Sequence, residues 1–165
     1  MLHFLKREYE SLFVHRFSSP TMPLLNIFKN SAHYHLLCGL NLAYWIYRPR
    51  NTPAPTIAFC VALWTFAQIS NFLTHLALKN LRPQGSTQRK IPSGYGFDLV
   101  SCPNYFFEFL AWLSFSLLTR SWAAHLFLVV STAQMYLWAA KKHQRYKTEF
   151  KHYPKSRKAM FPFIA

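Results

Sequence analysis

Acidic residues are scarce in this chain of 165 residues: five Asp and Glu stand against nineteen Lys and Arg, giving a formal net charge of +14. Such a charge would suit a nucleic-acid-binding protein. However, 52% of the residues are hydrophobic and 18% are aromatic, and they fall in long blocks separated by the basic residues. This layout is typical of a membrane protein whose loops contact anionic lipid or an anionic ligand. We therefore expect membrane lipid as a partner and no nucleic acid.

The chain also lacks the local patterns that indicate disulfides, metal centres or nucleotide loops. Its three cysteines, Cys38, Cys60 and Cys102, show no C-x-x-C spacing, and its eight histidines form no H-E-x-x-H motif. We therefore expect no metal. The sequence Gly94-Tyr95-Gly96 lacks the third glycine and the strand–turn–helix frame of a Rossmann fingerprint. Any dinucleotide must be held in another way.

Four apolar segments are present, at about 31–47, 56–78, 105–118 and 122–140. A membrane-spanning helix needs about 20 residues, so the second and fourth segments fit. The first and third are short, and they tilt little, begin earlier or enter the membrane only partway. The predicted fold is all-α: a multi-pass transmembrane helical bundle with about four spanning helices.

Basic residues would be divided unevenly between the two membrane faces that four crossings create. Residues 1–30, the 79–104 loop and the C-terminal tail share one face and hold sixteen Lys or Arg, against three on the other. Because cytosolic loops carry the excess of Lys and Arg, we expect the basic loops and the C-terminus to be cytosolic.

Tyr105 is the candidate general acid, since it lies where a basic loop ends and an apolar helix begins. A phenol is protonated at neutral pH, and a nearby cation lowers its pKa and eases proton donation. Lys6 is the best candidate for that cation, and Glu10, four residues on, can pair with it. Alternatively, Tyr105 anchors a helix at the membrane interface and Lys6 is a snorkelling or salt-paired lysine.

One polar stripe begins at the basic end of the second segment, where the following residues succeed one another at helical pitch: Asn71, His75, Lys79 and Arg82. Polar groups in a membrane helix are costly unless they face the protein interior or a ligand. A hydrogen bond between helices is an equally good interpretation. Three cations suit phosphate groups: Arg82, Arg89 and Lys90.

The third segment carries polar residues beside Tyr105. Asn104 and Glu108, four residues apart, share a helix face, and Tyr105 lies nearby. A carboxylate within the membrane is a functional hypothesis by default, although Glu108 could instead interact with the start of the helix. The eight basic residues between Lys141 and Lys158 suit lipid headgroups or phosphate equally well.

Several motifs resemble the very-long-chain trans-2-enoyl-CoA reductases, which belong to the wider steroid 5-alpha-reductase group. Residues 3–18 and 21–30 resemble a signature specific to the enoyl reductases. Residues 81–85, 100–105 and 153–157 are similar to a pattern that the steroid enzymes share. The steroid enzymes carry Ala-Asn-Phe where this chain has Pro-Asn-Tyr, which favours the enoyl branch.

The resemblance implies NADPH-dependent reduction of the 2,3 double bond of a long-chain trans-2-enoyl-CoA. This is the last step of the very-long-chain fatty acid elongation cycle at the endoplasmic reticulum membrane, with other elongase components as candidate partners. The alternatives are a 3-oxo-delta-4-steroid 5-alpha-reductase and a truncated, non-catalytic paralogue that binds the elongase. Family members are about twice this length and begin with a ubiquitin-like domain and two further membrane helices. Residues 1–165 would be their C-terminal membrane domain.

Site roles also follow from the resemblance. It implies that Tyr105 is the proton donor and Lys6 its partner, with Glu10 and Glu108 as further candidates. The expected contacts with the nicotinamide cofactor are Asn71, Arg82, Lys90, Asn104 and Tyr146. His75, which stands where the steroid enzymes carry an aspartate, and Arg89 are added to this set.

Overall fold

The fold is helical, as predicted. The computed structural model describes residues 1–16, 21, 23–46, 51–81 and 90–164. Within these residues the α-helices are α1 (Leu2–Tyr9), α2 (Leu24–Ser31), α3 (Leu42–Ile46), α4 (Ala54–Asn80), α5 (Pro103–Thr119) and α6 (Trp122–Glu149). Two π-helical segments, Glu10–Val14 and Ala32–Asn41, extend α1 and join α2 to α3. The described part of the chain has one isolated β-bridge, between Val100 and Lys158.

Two helices, α4 and α6, are long and apolar enough to cross a membrane. They contain 27 and 28 residues, and their most apolar 18-residue windows have mean hydropathies of 1.5 and 1.3. Only 28% and 39% of their most apolar windows are buried inside the protein. Most of their apolar side chains therefore face outward, as lipid contact requires. Pro55 lies in the first turn of α4, where a missing backbone N–H costs nothing.

The other two predicted segments differ from this pair. Residues 31–46 of the first segment lie in a continuous helical run from residue 24 to 46, so the helix begins earlier than the apolar block does. The third, α5, has 17 residues and ends at Thr119, and the next residue, Arg120, adopts a left-handed conformation (φ 48°, ψ 32°). This sharp stop leaves only Arg120 and Ser121 between α5 and α6. The helical bundle is confirmed, and four crossings remain a prediction.

Helix α5 packs mainly against α4 and also against α6. The side chains that α4 buries are small or polar, including Ala67, Ser70 and Thr74. Small residues let helix backbones approach closely where lipid supplies no hydrophobic driving force between helices. A separate apolar cluster around Phe127 joins α6 to the π-helical segment Ala32–Asn41 and to α3.

The basic tail folds back onto the start of α5. Ser101 donates its backbone N–H to Lys158 at 2.8 Å, and Cys102 donates to Ala159 at 3.1 Å. Arg157 is buried, and its guanidinium donates to the Pro92 carbonyl at 2.8 Å. This part of the tail is therefore packed against the helical bundle, while Lys151, Lys155 and Lys158 remain exposed.

Candidate functional site

A cavity of about 830 Å³ lies between α1, α2, the π-helical segment 32–41, α4, α5 and α6. Its volume is within the range of small-molecule sites. Predicted site residues contribute much of its wall: Asn71, His75, Asn104, Tyr105 and Glu108. The structure therefore brings together residues that the sequence places on two different helices.

A hydrogen-bonded chain connects α1 to the residue before Tyr105. Lys6 Nζ donates to Asn71 Oδ1 at 2.6 Å, and Asn71 Nδ2 donates to the Asn104 carbonyl at 2.8 Å. Among the described residues, no hydrogen bond or ion pair joins Lys6 to Tyr105 directly. The predicted contact between their side chains is therefore replaced by an indirect one through Asn71.

Glu10 holds the Lys6 end of this hydrogen-bonded chain in place. Its side chain is 0% exposed, and Lys6 Nζ lies 2.9 Å from its Oε1, which confirms the predicted pair. His75 Nδ1 lies 2.9 Å from the same oxygen, and Arg7 Nη1 lies 3.3 Å from Oε2. Burial by itself would raise the pKa of Glu10, but the contacts with His75 and Lys6 outweigh it and lower the pKa from 4.5 to about 2. Glu10 is thus ionised at neutral pH and fixes the position of Lys6.

A second polar group, centred on Glu108, faces the same cavity. His3 Nε2 lies 3.4 Å from Glu108 Oε1, and Trp112 Nε1 donates to that oxygen at 3.1 Å. Gln68 Nε2 lies 3.0 Å from His3 Nδ1. Glu108 lies beyond the first turn of α5, so the alternative that it interacts with the helix start is wrong. Burial lowers the pKa of His3, and the Glu108 carboxylate offsets this only in part.

A third polar group was missed by sequence reasoning. Lys29 Nζ donates to Gln134 Oε1 at 3.0 Å, and Ser131 Oγ lies 3.3 Å from His33 Nε2. All four residues line the cavity. Part of this signal was available in the sequence, because Lys29 and His33 are four residues apart on one helical run, and Ser131 and Gln134 are three residues apart on α6.

Other predicted cofactor residues do not line the cavity. Tyr146 is buried, and its ring packs against those of Phe150 and Tyr153 at centroid distances of 6.0 and 5.5 Å. Lys90 is exposed outside the cavity wall. Arg82 and Arg89 lie outside the described residues.

One further cluster bears on the expectation that the chain binds no metal. Three residues each offer one potential ligand atom, and these atoms all lie within 4.8 Å of one another: Glu10, His15 and His75. Local spacing could not reveal this cluster, since His75 comes from α4 and the other two residues from the end of the first helix.

The described elements define a membrane-type helical bundle around a cavity whose wall combines polar and apolar side chains. A family model described as 3-oxo-5-alpha-steroid 4-dehydrogenase matches residues 20–165. The chain belongs to this family, which confirms the predicted steroid 5-alpha-reductase relationship.

Curated relatives extend the similarity over nearly the whole chain. A Schizosaccharomyces pombe protein provisionally named an enoyl reductase is 62% identical over 99% of this chain and 57% of its own length. The Dictyostelium discoideum very-long-chain enoyl-CoA reductase is 46% identical over 99% of this chain and 55% of its own length. A human trans-2,3-enoyl-CoA reductase-like protein is 31% identical over 99% of this chain and 47% of its own length. The chain thus spans about half the length of these relatives.

Proposed function

We propose that this chain carries the catalytic cavity of an NADPH-dependent enoyl-CoA reductase, which saturates the 2,3 double bond of long-chain trans-2-enoyl-CoA. The observation that carries the proposal is Tyr105 in the wall of the cavity, next to Asn104, whose carbonyl is fixed by the Lys6–Asn71 chain. The names of the relatives supply the substrate class. We place the reaction at the end of the fatty acid elongation cycle, in the endoplasmic reticulum membrane with the basic loops cytosolic.

The cavity wall suits a nicotinamide cofactor. Asn104 Oδ1 is buried and has no hydrogen-bond partner among the described residues. A buried acceptor without a donor is costly, so a ligand that brings an N–H group would bind there favourably. A carboxamide offers such a group. Asn71, His75 and Asn104 would hold the cofactor, which supplies a hydride to the β carbon of the substrate when bound.

Tyr105 would complete the reduction by giving a proton to the α carbon. Negative charge develops on the thioester oxygen as the β carbon is reduced, and hydrogen-bond donors in the wall stabilise that charge best when they are fixed in advance. The Lys6–Asn71–Asn104 chain provides such fixation for the start of α5. Lys6 is therefore a positioning residue that acts through Asn71, rather than the direct partner of the Tyr105 phenol.

The experiment is NADPH-dependent conversion of a long-chain trans-2-enoyl-CoA by membranes that contain only this chain. General acid catalysis contributes about 10²- to 10⁴-fold, so we expect Tyr105→Phe to lose at least about 100-fold in turnover. Tyr136→Phe is the matched control, because Tyr136 lies on α6 and outside the cavity wall. Equal turnover by Tyr105→Phe and the wild type would remove Tyr105 from the acid role.

A steroid substrate is the second candidate, because the family model carries a steroid reductase description. The same membranes would be given a 3-oxo-delta-4-steroid. Steroid reduction without enoyl-CoA reduction would replace the first proposal with this one. Tight binding to elongase components with neither activity would favour the non-catalytic alternative.

A further inference from the structure

We propose that Glu10, His15 and His75 form an inhibitory site for a divalent transition metal of the zinc type. The ion would be held by one carboxylate and two imidazoles. Its binding would remove Lys6 from the position that supports Asn104. The inhibitory part rests on the proposed reductase function, whereas the binding part stands on the cluster alone.

The geometry of the three side chains is close to that of a metal site. Their ligand atoms all lie within 4.8 Å of one another, and His75 Nδ1 is already 2.9 Å from Glu10 Oε1. Tetrahedral zinc with bonds of about 2.0–2.2 Å sets its ligand atoms roughly 3.3 Å apart. The His15 and His75 rings meet edge to face with centroids 4.8 Å apart. A small inward movement of His15 would therefore close the site.

The cluster also contains buried polar atoms that suit an added ligand. Glu10 Oε1 and His75 Nδ1 are buried, and within the described part of the chain neither atom has a hydrogen-bond partner beyond the ion pairs given above. Two imidazoles with one carboxylate are a common zinc set in proteins that leave a fourth position open.

Metal binding would compete directly with Lys6. Its ammonium lies 2.9 Å from Glu10 Oε1, the atom that the ion would need. A divalent ion and an ammonium repel each other at that distance, so they cannot both occupy Glu10 Oε1, and a bound ion would exclude Lys6. Lys6 would then lose its anchor, and the chain through Asn71 to Asn104 would loosen. Arg7, which contacts the other oxygen, is 36% exposed and can turn into solvent.

A substitution at His15 can test metal binding without altering the residues proposed for the reaction. His15 does not line the cavity, and it takes no part in the Lys6–Asn71–Asn104 chain. It is only partly buried, which gives the ion a route to the cluster. His15→Leu should therefore remove a ligand and leave the basal turnover unchanged.

Binding is tested by titrating the purified, chelator-treated chain in detergent with Co²⁺, a spectroscopic substitute for zinc. We expect visible ligand-field absorption that Zn²⁺ abolishes. Because even outer-shell changes cost 10- to 100-fold in metal affinity, His15→Leu should weaken binding at least about tenfold. His125→Leu should leave it unchanged, since His125 pairs with the Ser121 carbonyl at the start of α6. His15→Cys should restore binding with a thiolate-to-cobalt band, which shows that a folded protein is being measured.

The result that would overturn the proposal is the absence of Co²⁺ absorption in the wild type, or an unchanged affinity in His15→Leu. In the enoyl-CoA assay, free Zn²⁺ should inhibit the wild type reversibly and His15→Leu at least about tenfold less. Equal inhibition of both proteins would refute the competition with Lys6. If the wild type shows no turnover, the reductase proposal fails, and the Co²⁺ titration still decides the site.

Discussion

Gly96 lies against the first residue of α5, and an alanine there should disturb the site from outside the cavity. A Cβ on Gly96 would come 2.8 Å from Pro103 Cβ, and the residue has φ +79°. A left-handed conformation costs a non-glycine residue about 1–2 kcal/mol. Overpacking adds about 1–3 kcal/mol, and the Pro103 ring cannot turn aside as a flexible side chain would. Gly96→Ala should therefore lower the free energy of unfolding by about 2–5 kcal/mol.

Gly94→Ala is the matched control for this prediction. Gly94 also has φ +79°, but a Cβ there would meet no atom within 4 Å. It should lose only the conformational part, about 1–2 kcal/mol. The assay is unfolding of both variants and the wild type in mixed detergent micelles, followed by turnover of the enoyl-CoA. Since Pro103 precedes Asn104 and Tyr105, Gly96→Ala should also lose turnover, because small misplacements of reacting groups are costly. Equal destabilisation by the two alanines would refute the close approach to α5.

Two further predictions concern the polar clusters. Ionised Glu10 should contribute about 3 kcal/mol of stability above pH 4.5, which is lost as the pH falls towards its folded pKa of about 2. With a chelator present, the midpoint temperature of unfolding should therefore fall more steeply between these pH values for the wild type than for Glu10→Gln. Parallel curves of midpoint against pH would contradict the buried ion pair. Ser101→Ala should cost about 1–3 kcal/mol and speed proteolysis of the tail, because Ser101 Oγ lies 2.6 Å from both Tyr153 Oη and His143 Nδ1. Ser93→Ala, at an exposed position, should do neither, and equal proteolysis of the two variants would show that the hydroxyl does not hold the tail.

The helices were largely predictable because their signal is local. The apolar blocks at about 56–78 and 122–140 lie within α4 and α6, since length and hydropathy act over neighbouring residues. The pair between Lys6 and Glu10 was predictable for the same reason, because one helical turn separates them. The alternative that Glu108 interacts with the helix start was wrong because α5 begins at Pro103. An apolar sequence does not mark the first residue of a helix clearly.

The sequence by itself thus determined a basic, helical membrane protein and the residue types that its site offers. Only the tertiary structure decided how they combine: Lys6 contacts Asn71 across 65 positions of the chain, and His3 meets Glu108 between α1 and α5. The tertiary structure also brings His75 into contact with Glu10 and packs the tail against the start of α5. Tyr146 lies outside the cavity wall. These contacts depend on how helices pack against one another, and local propensity and hydropathy carry no information about that packing.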